Sequence, residues 1–217
     1  IINNVNTQGA GNLIYMHDYV SVNIENTLIA DNEAGAIHQA TSDSFNAHLS
    51  LNEVTMTGNM SSDGTASGIK ITSSSSGTGG YTNISNSIIY DNGDSLQIFV
   101  DDDIGHILNI EYSNIQNGSD LIVEADSINW NDGNIDVDPR FVSVIEGEED
   151  YHLLASSLCI NAGHPDSTDS DGTQLDMGAY PYLNDYDGGI DSNWWVSAAD
   201  GSDITGTGEN FSPFASV

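Results

Sequence analysis

The chain has 217 residues and a formal net charge of -31, with 33 acidic side chains against one lysine, Lys70, and one arginine, Arg140. That balance excludes nucleic acid and an anionic membrane surface as partners, because both need a cationic face. No run approaches the 18 or so apolar residues that a membrane-spanning helix needs, and the single cysteine, Cys159, excludes an internal disulfide.

Aspartate outnumbers glutamate 24 to 9. Aspartate favours turns and short-armed cation ligation over helices. Most of these charges read as a solvated acidic surface suited to high salt, where self-repulsion is screened. Cys159, in the apolar stretch Ser156–Ile160, reads as a small core residue.

In chain order, the first element is Asn12–Met16, which with Ile1–Asn4 reads as the end of an earlier turn of a repeat. The chain opens at Ile1 without methionine, so the N-terminus reads as cut within a coil, with an exposed strand edge. A pattern of strand followed by asparagine then returns. Ile24-Glu-Asn-Thr-Leu-Ile-Ala-Asp-Asn32 is one copy, Leu51–Asn59 the next and Ile84–Asn92 the third. Ile110–Asn117 is a fourth copy, one residue shorter. The copies start at 24, 51, 84 and 110, that is 27, 33 and 26 residues apart. A period in this range predicts a solenoid, in which no single repeat buries its own apolar side. Each copy alternates apolar and polar residues as a half-buried strand does. After the asparagine come turn residues and a second apolar run: Ala36-Ile37, Gly68–Ile71, Leu96–Phe99 and Leu121–Val123.

Strands stacked in register at ~4.8 Å would place like residues over like. Ile29, Met56, Ile89 and Ile115 should form one aliphatic column, and Ile24, Leu51, Ile84 and Ile110 another. Asn32, Asn59, Asn92 and Asn117 should form a structural ladder, because asparagine tolerates a left-handed backbone and its amide bonds to a neighbour above. The predicted fold is all-β, a right-handed parallel β-helix solenoid, with repeats over 1–130.

This pattern resembles the right-handed parallel β-helix of the pectin-lyase-like superfamily. After residue 130 come Asp136-Val-Asp-Pro-Arg-Phe-Val142, Asp150-Tyr-His-Leu153, Ser156–Gly163 and Asp176-Met-Gly-Ala-Tyr180, in that order. The series looks like the closing segment of many secreted bacterial β-helix proteins, the choice-of-anchor Q type; Cys159 and Asn161 depart from its commoner alanine and aspartate. The segment is assigned 131–183. An acidic linker over 184–193 follows. Trp194–Val217 then resembles the opening of a further β-helix module, and its alternative reading is a cap on the N-terminal edge of this chain or a neighbour. The resemblance implies an extracellular or cell-surface location and a longer tandem parent. It also implies self-association head to tail, or continuation into further modules.

The metal candidate is the loop Asp166–Asp176, in which Asp166, Asp169, Asp171 and Asp176, with Gly172 at the turn, offer hard oxygen ligands for Ca²⁺. Asp185, Asp187 and Asp191 form a weaker set of the same kind, and Asp101–Asp103 with Glu111 one weaker still. A plain acidic loop is the alternative in each case. The resemblance also implies a second function class, polysaccharide cleavage. Lyases of this fold generally use a basic residue, for which only Lys70 and Arg140 are on offer; Arg140 is expected to pair locally with an acidic residue. Hydrolases of this fold pair aspartate clusters with Gly-His-Gly and Arg-x-Lys elements, of which Asp101–His106 echoes one part. A third class is glycan binding through aromatic side chains such as Trp194-Trp195. The histidines at 17, 38, 48, 106, 152 and 164 share no motif. Asn59, Asn83, Asn117 and Asn210 each open a glycosylation sequon. The expected function is a structural surface module of a tandem β-helix array, as an adhesin or as a subunit of a head-to-tail fibre, with no catalytic residue assigned.

Overall fold

The computed structural model describes residues 1–4, 11–41, 47–61, 66–73, 80–93, 96–101, 105–121, 127–183, 197–202 and 215. Among them the fold is nearly all β, with parallel sheets and no α-helix; the one helical turn is the 3-10 segment Gly118–Leu121. In chain order the strands are β1 (Asn12–His17), β2 (Ser21–Ala30), β3 (Gly35–Thr41), β4 (His48–Thr57), β5 (Ile69–Ser73), β6 (Tyr81–Ser85) and β7 (Ile88–Tyr90). They continue with β8 (Ile98–Val100), β9 (Ile107–Glu111), β10 (Asn114–Ile115), β11 (Ser127–Trp130), β12 (Phe141–Ser143) and β13 (Asp150–Leu153).

One parallel sheet runs β1-β3-β5-β8. A larger one joins β2 to β4, β4 to both β6 and β7, β6 to β9, β9 to β11 and β7 to β10, all parallel. Successive repeats therefore add one strand to each sheet, and the registers stack like on like. Ile24 lies beside Leu51, Leu51 beside Ile84, Ile84 beside Ile110, and Ile110 beside Trp130. Ile29, Met56, Ile89 and Ile115 form a second inward column. In the smaller sheet Ile14, Ile37, Ile69 and Ile98 form a third. The middle members are fully buried, whereas Leu13, Ile14, Val22, Ile24, Ile128 and Trp130, on the first and last strands, are only partly covered.

The long strands bend where a non-glycine residue takes a left-handed backbone. Asn26 (φ 46°) and Glu53 (φ 55°) do so inside β2 and β4, while Asn86 (φ 50°) and Tyr112 (φ 45°) separate β6 from β7 and β9 from β10. The register aligns these four at one corner. Such a backbone costs roughly 1 kcal/mol for most side chains.

The first closing residues, 131–137, stack on the last repeat, and the later ones run back along the side of the stack. Asn114 and Ile135 form a parallel bridge beside β10, and the antiparallel pair β12–β13 follows. The chain then reaches back: the Gly178 N–H donates to the Asn86 carbonyl at 2.8 Å, the Ala179 N–H to Thr55 Oγ1 at 2.9 Å, and the Tyr151 hydroxyl to Asp31 Oδ2. Ile88, Leu153, Cys159 and Met177 form a second buried cluster there. Cys159 is fully buried, which pushes its thiol up to about 11.

Candidate functional site

Side-chain amides carry the longest polar arrangement among the described residues. Asn4 Nδ2 donates to Asn32 Oδ1 at 2.9 Å, Asn32 Nδ2 to Asn59 Oδ1 at 2.6 Å, and Asn59 Nδ2 to Asn92 Oδ1 at 2.7 Å. Asn92 Nδ2 then donates to Gln97 Oε1 at 2.9 Å, and Gln97 Nε2 to Gln116 Oε1 at 3.0 Å. Asn32, Asn59 and Asn92 are at most 1% exposed. Their second donors reach backbone carbonyls, as Asn59 Nδ2 does at Ile29, 2.9 Å away, so buried polarity is matched. A chain of amides aligned in one direction polarises its members cooperatively. Carboxamides neither take nor give protons near neutral pH, so this feature fixes register and does no acid–base chemistry.

Asn117 is not a member. Its column partner Ile115 aligns with Ile29, Met56 and Ile89. Two residues on from each of these stand Asp31, Gly58, Asp91 and Asn117, all in left-handed backbone (φ 53°, 64°, 56° and 66°). Asn117 therefore occupies the corner before the ladder position, the ladder position itself is Gly118, and Gln97 and Gln116 continue the relay instead. The fourth copy is in fact full length: Ile110 pairs with Ile84 and Ile115 with Ile89, so its ninth position is Gly118, where the other copies carry asparagine.

Two further ladders lie where the sequence reading assigned none. Inside, the Val54 N–H donates to Ser87 Oγ, the Ser87 N–H to Ser113 Oγ, each at 3.1 Å, and the Ser113 N–H to Asn134 Oδ1 at 3.0 Å. On the outer face, Asn129 Nδ2 donates to Asn109 Oδ1 and Asn109 Nδ2 to Asn83 Oδ1, each at 2.7 Å. The shared Asn-Ile of Asn83-Ile84 and Asn109-Ile110 was the available signal.

The acidic loop folds as a tight hairpin. Thr168 bridges Gln174, and Gly172 takes φ 85°. Its carboxylates serve as acceptors for the chain itself. Asp171 Oδ1 takes the Thr173 N–H at 2.9 Å and its hydroxyl at 2.7 Å, and Asp169 Oδ2 takes the Asp176 N–H at 2.9 Å. Asp176, 2% exposed, takes the Asn161 N–H on one oxygen at 2.6 Å and the Tyr182 N–H on the other at 2.5 Å. Burial raises the Asp176 carboxyl above its ordinary range despite those donors. Burial, then the neighbouring Asp176, lift Asp169 to about 6. The Asp166 N–H donates to His164 Nδ1 at 3.2 Å. Among the described residues no group of three or more His, Cys, Asp or Glu side chains is gathered to hold a metal ion. The expected calcium set of Asp166, Asp169, Asp171 and Asp176 is not among such groups, and both oxygens of Asp176 accept from backbone donors. Asp185, Asp187 and Asp191 lie outside the described residues, as do Asp102, Asp103 and the tandem Trp194-Trp195.

Lys70 points outward. In the smaller sheet Tyr15, His38, Lys70 and Phe99 stand in one outer column between two buried ones. Tyr15 meets the His38 ring edge-on at 5.0 Å, and His38 Nε2 lies 2.8 Å from Thr72 Oγ1. A parallel stripe on the larger sheet stacks His48 on Tyr81 at 3.9 Å. Among the described residues Arg140 makes no acidic pair with its guanidinium: Nη1 donates to the Ser156 hydroxyl at 2.9 Å, and it is the Arg140 backbone N–H that meets Asp138.

His106 is the unusual histidine. It is 1% exposed, and Nε2 lies 2.9 Å from Thr82 Oγ1, which itself donates to Gln39 Oε1 at 2.6 Å. With the Thr82 proton committed to Gln39, Nε2 must carry the hydrogen. That leaves Nδ1 as an acceptor, and it is the buried side-chain atom without a partner among the described residues. Burial, then His48, lower the His106 pKa to about 4, so the ring is neutral.

Compared with known proteins, the chain matches no family model, no curated protein and no solved structure.

Proposed function

We propose that this chain is a right-handed parallel β-helix that serves as a structural module of an extracellular or cell-surface protein. In this reading residues 1–130 form the coil and 131–183 the closing segment, and the module extends by head-to-tail contact or by further modules of the same chain. The observation that supports it is the unbroken stacking of inward columns together with the amide relay from Asn4 to Gln116. Such stacking makes a stiff rod whose stability is a sum over neighbours. The −31 charge keeps such a surface solvated and repels polyanionic polymers. Small-angle scattering and electron microscopy test this: elongated particles or filaments are expected, and compact spheres would refute it.

A second reading, a polysaccharide-active or glycan-binding β-helix, is favoured by the outer column of Tyr15, His38, Lys70 and Phe99, which offers ring faces and one cation along the strand-stacking direction. Incubation with pectate and alginate separates the two readings. Unsaturated product that disappears in Lys70→Ala would replace the structural reading, and saturable binding without product would establish the glycan-binding one.

A further inference from the structure

We infer that Asn117 is a site of spontaneous backbone-assisted deamidation, which converts the last corner of the stack from neutral to acidic. Asparagine followed by glycine occurs at Asn92-Gly93 and at Asn117-Gly118. The fold treats the two pairs in opposite ways. Asn92 is fully buried; its Nδ2 donates to the Met56 carbonyl and to Gln97, and its Oδ1 accepts from Asn59. Its carboxamide is held and water is kept out. Asn117 is exposed, outside the relay, and Gly118 has open space on the side where a Cβ would project.

The chemistry needs only water. The Gly118 backbone nitrogen gives up its proton and attacks Asn117 Cγ, and the tetrahedral adduct expels ammonia, leaving a five-membered succinimide. Water opens one of its two carbonyls, giving aspartate or isoaspartate. Asparagine plus water becomes acid plus ammonia, with no oxidant or cofactor. Rate should rise with pH, because the attacking nitrogen must lose its proton.

The corner column gives this a consequence. Its members are Asp31, Gly58, Asp91 and Asn117 in successive repeats, each in left-handed backbone. Gly58 separates the two aspartates, and a Cβ there would come within 2.3 Å of Asp31 Oδ1. Asn117 is the immediate neighbour of Asp91, one strand spacing of ~4.8 Å away. Aspartate suits this backbone, since Asp31 and Asp91 already adopt it. Deamidation therefore preserves the corner but places two carboxylates on adjacent repeats, while isoaspartate also lengthens the main chain there.

Peptide mapping of the folded chain after incubation at mildly alkaline pH tests the site. A gain of one mass unit is expected on the peptide carrying Asn117, with isoaspartate detected by enzymatic methyl transfer, while the Asn92 peptide stays unchanged. In denaturant both should convert. Ammonia release from the folded protein should stop in Asn117→Gly. Asn117→Asp should melt below the parent at low salt, with the gap closing at high salt. Conversion of Asn92 as fast as Asn117 in the fold would overturn the proposal. So would an intact Asn117 over the time in which the denatured chain converts, or an Asn117→Asp gap that ignores salt.

Discussion

Asn59 donates and accepts within the amide relay and is shielded from water, so removing its carboxamide strands two partners. Asn59→Ala should cost about 3 kcal/mol, since each buried polar group left unsatisfied costs roughly 1–3 kcal/mol. Asn117→Gly keeps the left-handed corner without disturbing the relay and should move stability by less than ~0.5 kcal/mol. Denaturant unfolding of the two variants separates ladder from corner. His106 and Asp169 give the molecule opposing pH slopes. The His106 pKa is lowered from 6.5 to about 4, so the fold prefers the neutral ring. Its contribution is complete above the unfolded value and is lost as pH falls from 6.5 towards 4. Asp169 is raised from 3.8 to about 6, so the fold prefers the protonated acid, and its contribution is present at low pH and lost as pH rises from 3.8 through 6. His106→Gln should flatten the acid-side loss of melting temperature. Asp169→Asn, which keeps an acceptor for the Asp176 N–H, should raise the melting temperature at pH 7 and leave it unchanged below the unfolded Asp pKa.

At the scale of elements, the strands are held by stacking rather than by local propensity. β10 has two residues and β7 and β8 three each, too short to persist alone, yet Ile88, Ile89, Ile98 and Ile115 are fully buried. Position along the stack should therefore decide the cost of truncation. Leu51→Ala, between Ile24 and Ile84, should cost about 3 kcal/mol as a fully enclosed cavity. Ile24→Ala, on the partly covered first strand of the larger sheet, should cost well under that, because its surroundings are not closed. Equal losses in thermal or chemical melts would show that the columns are not the unit of stability. The closing residues also act as an element: they bury Thr55 and Ile88, which alternation along β4 and β7 places on the outer face.

For the whole molecule, charge is the dominant long-range effect. With 33 acidic groups against two basic ones, ordinary salt shortens the range of repulsion to about 8 Å and molar salt to about 3 Å. Melting temperature should climb steadily with sodium chloride. A calcium shift beyond that of magnesium at equal ionic strength, reversed by chelator, would establish a bound ion, and its absence would remove the calcium proposal.

Sequence by itself determined the repeat, the strand character and the identity of the aliphatic columns, since alternation and period depend on neighbours along the chain. It also placed Asn32, Asn59 and Asn92 at equivalent positions. It misplaced Asn117, because matching asparagine to asparagine read the fourth copy one residue short, whereas the strand register keeps it full length and puts Gly118 at the ladder position. Only the tertiary structure decided that Gln97 and Gln116 finish the relay, since long amides reach across from a different strand. The three-dimensional packing likewise fixed the neutral state of His106 and sent both Asp176 oxygens to backbone donors. It laid the later closing residues along the side of the stack, so that Tyr151 meets Asp31, 120 positions away. Burial and long-range contact set these outcomes, and neither is a property of any short stretch of residues.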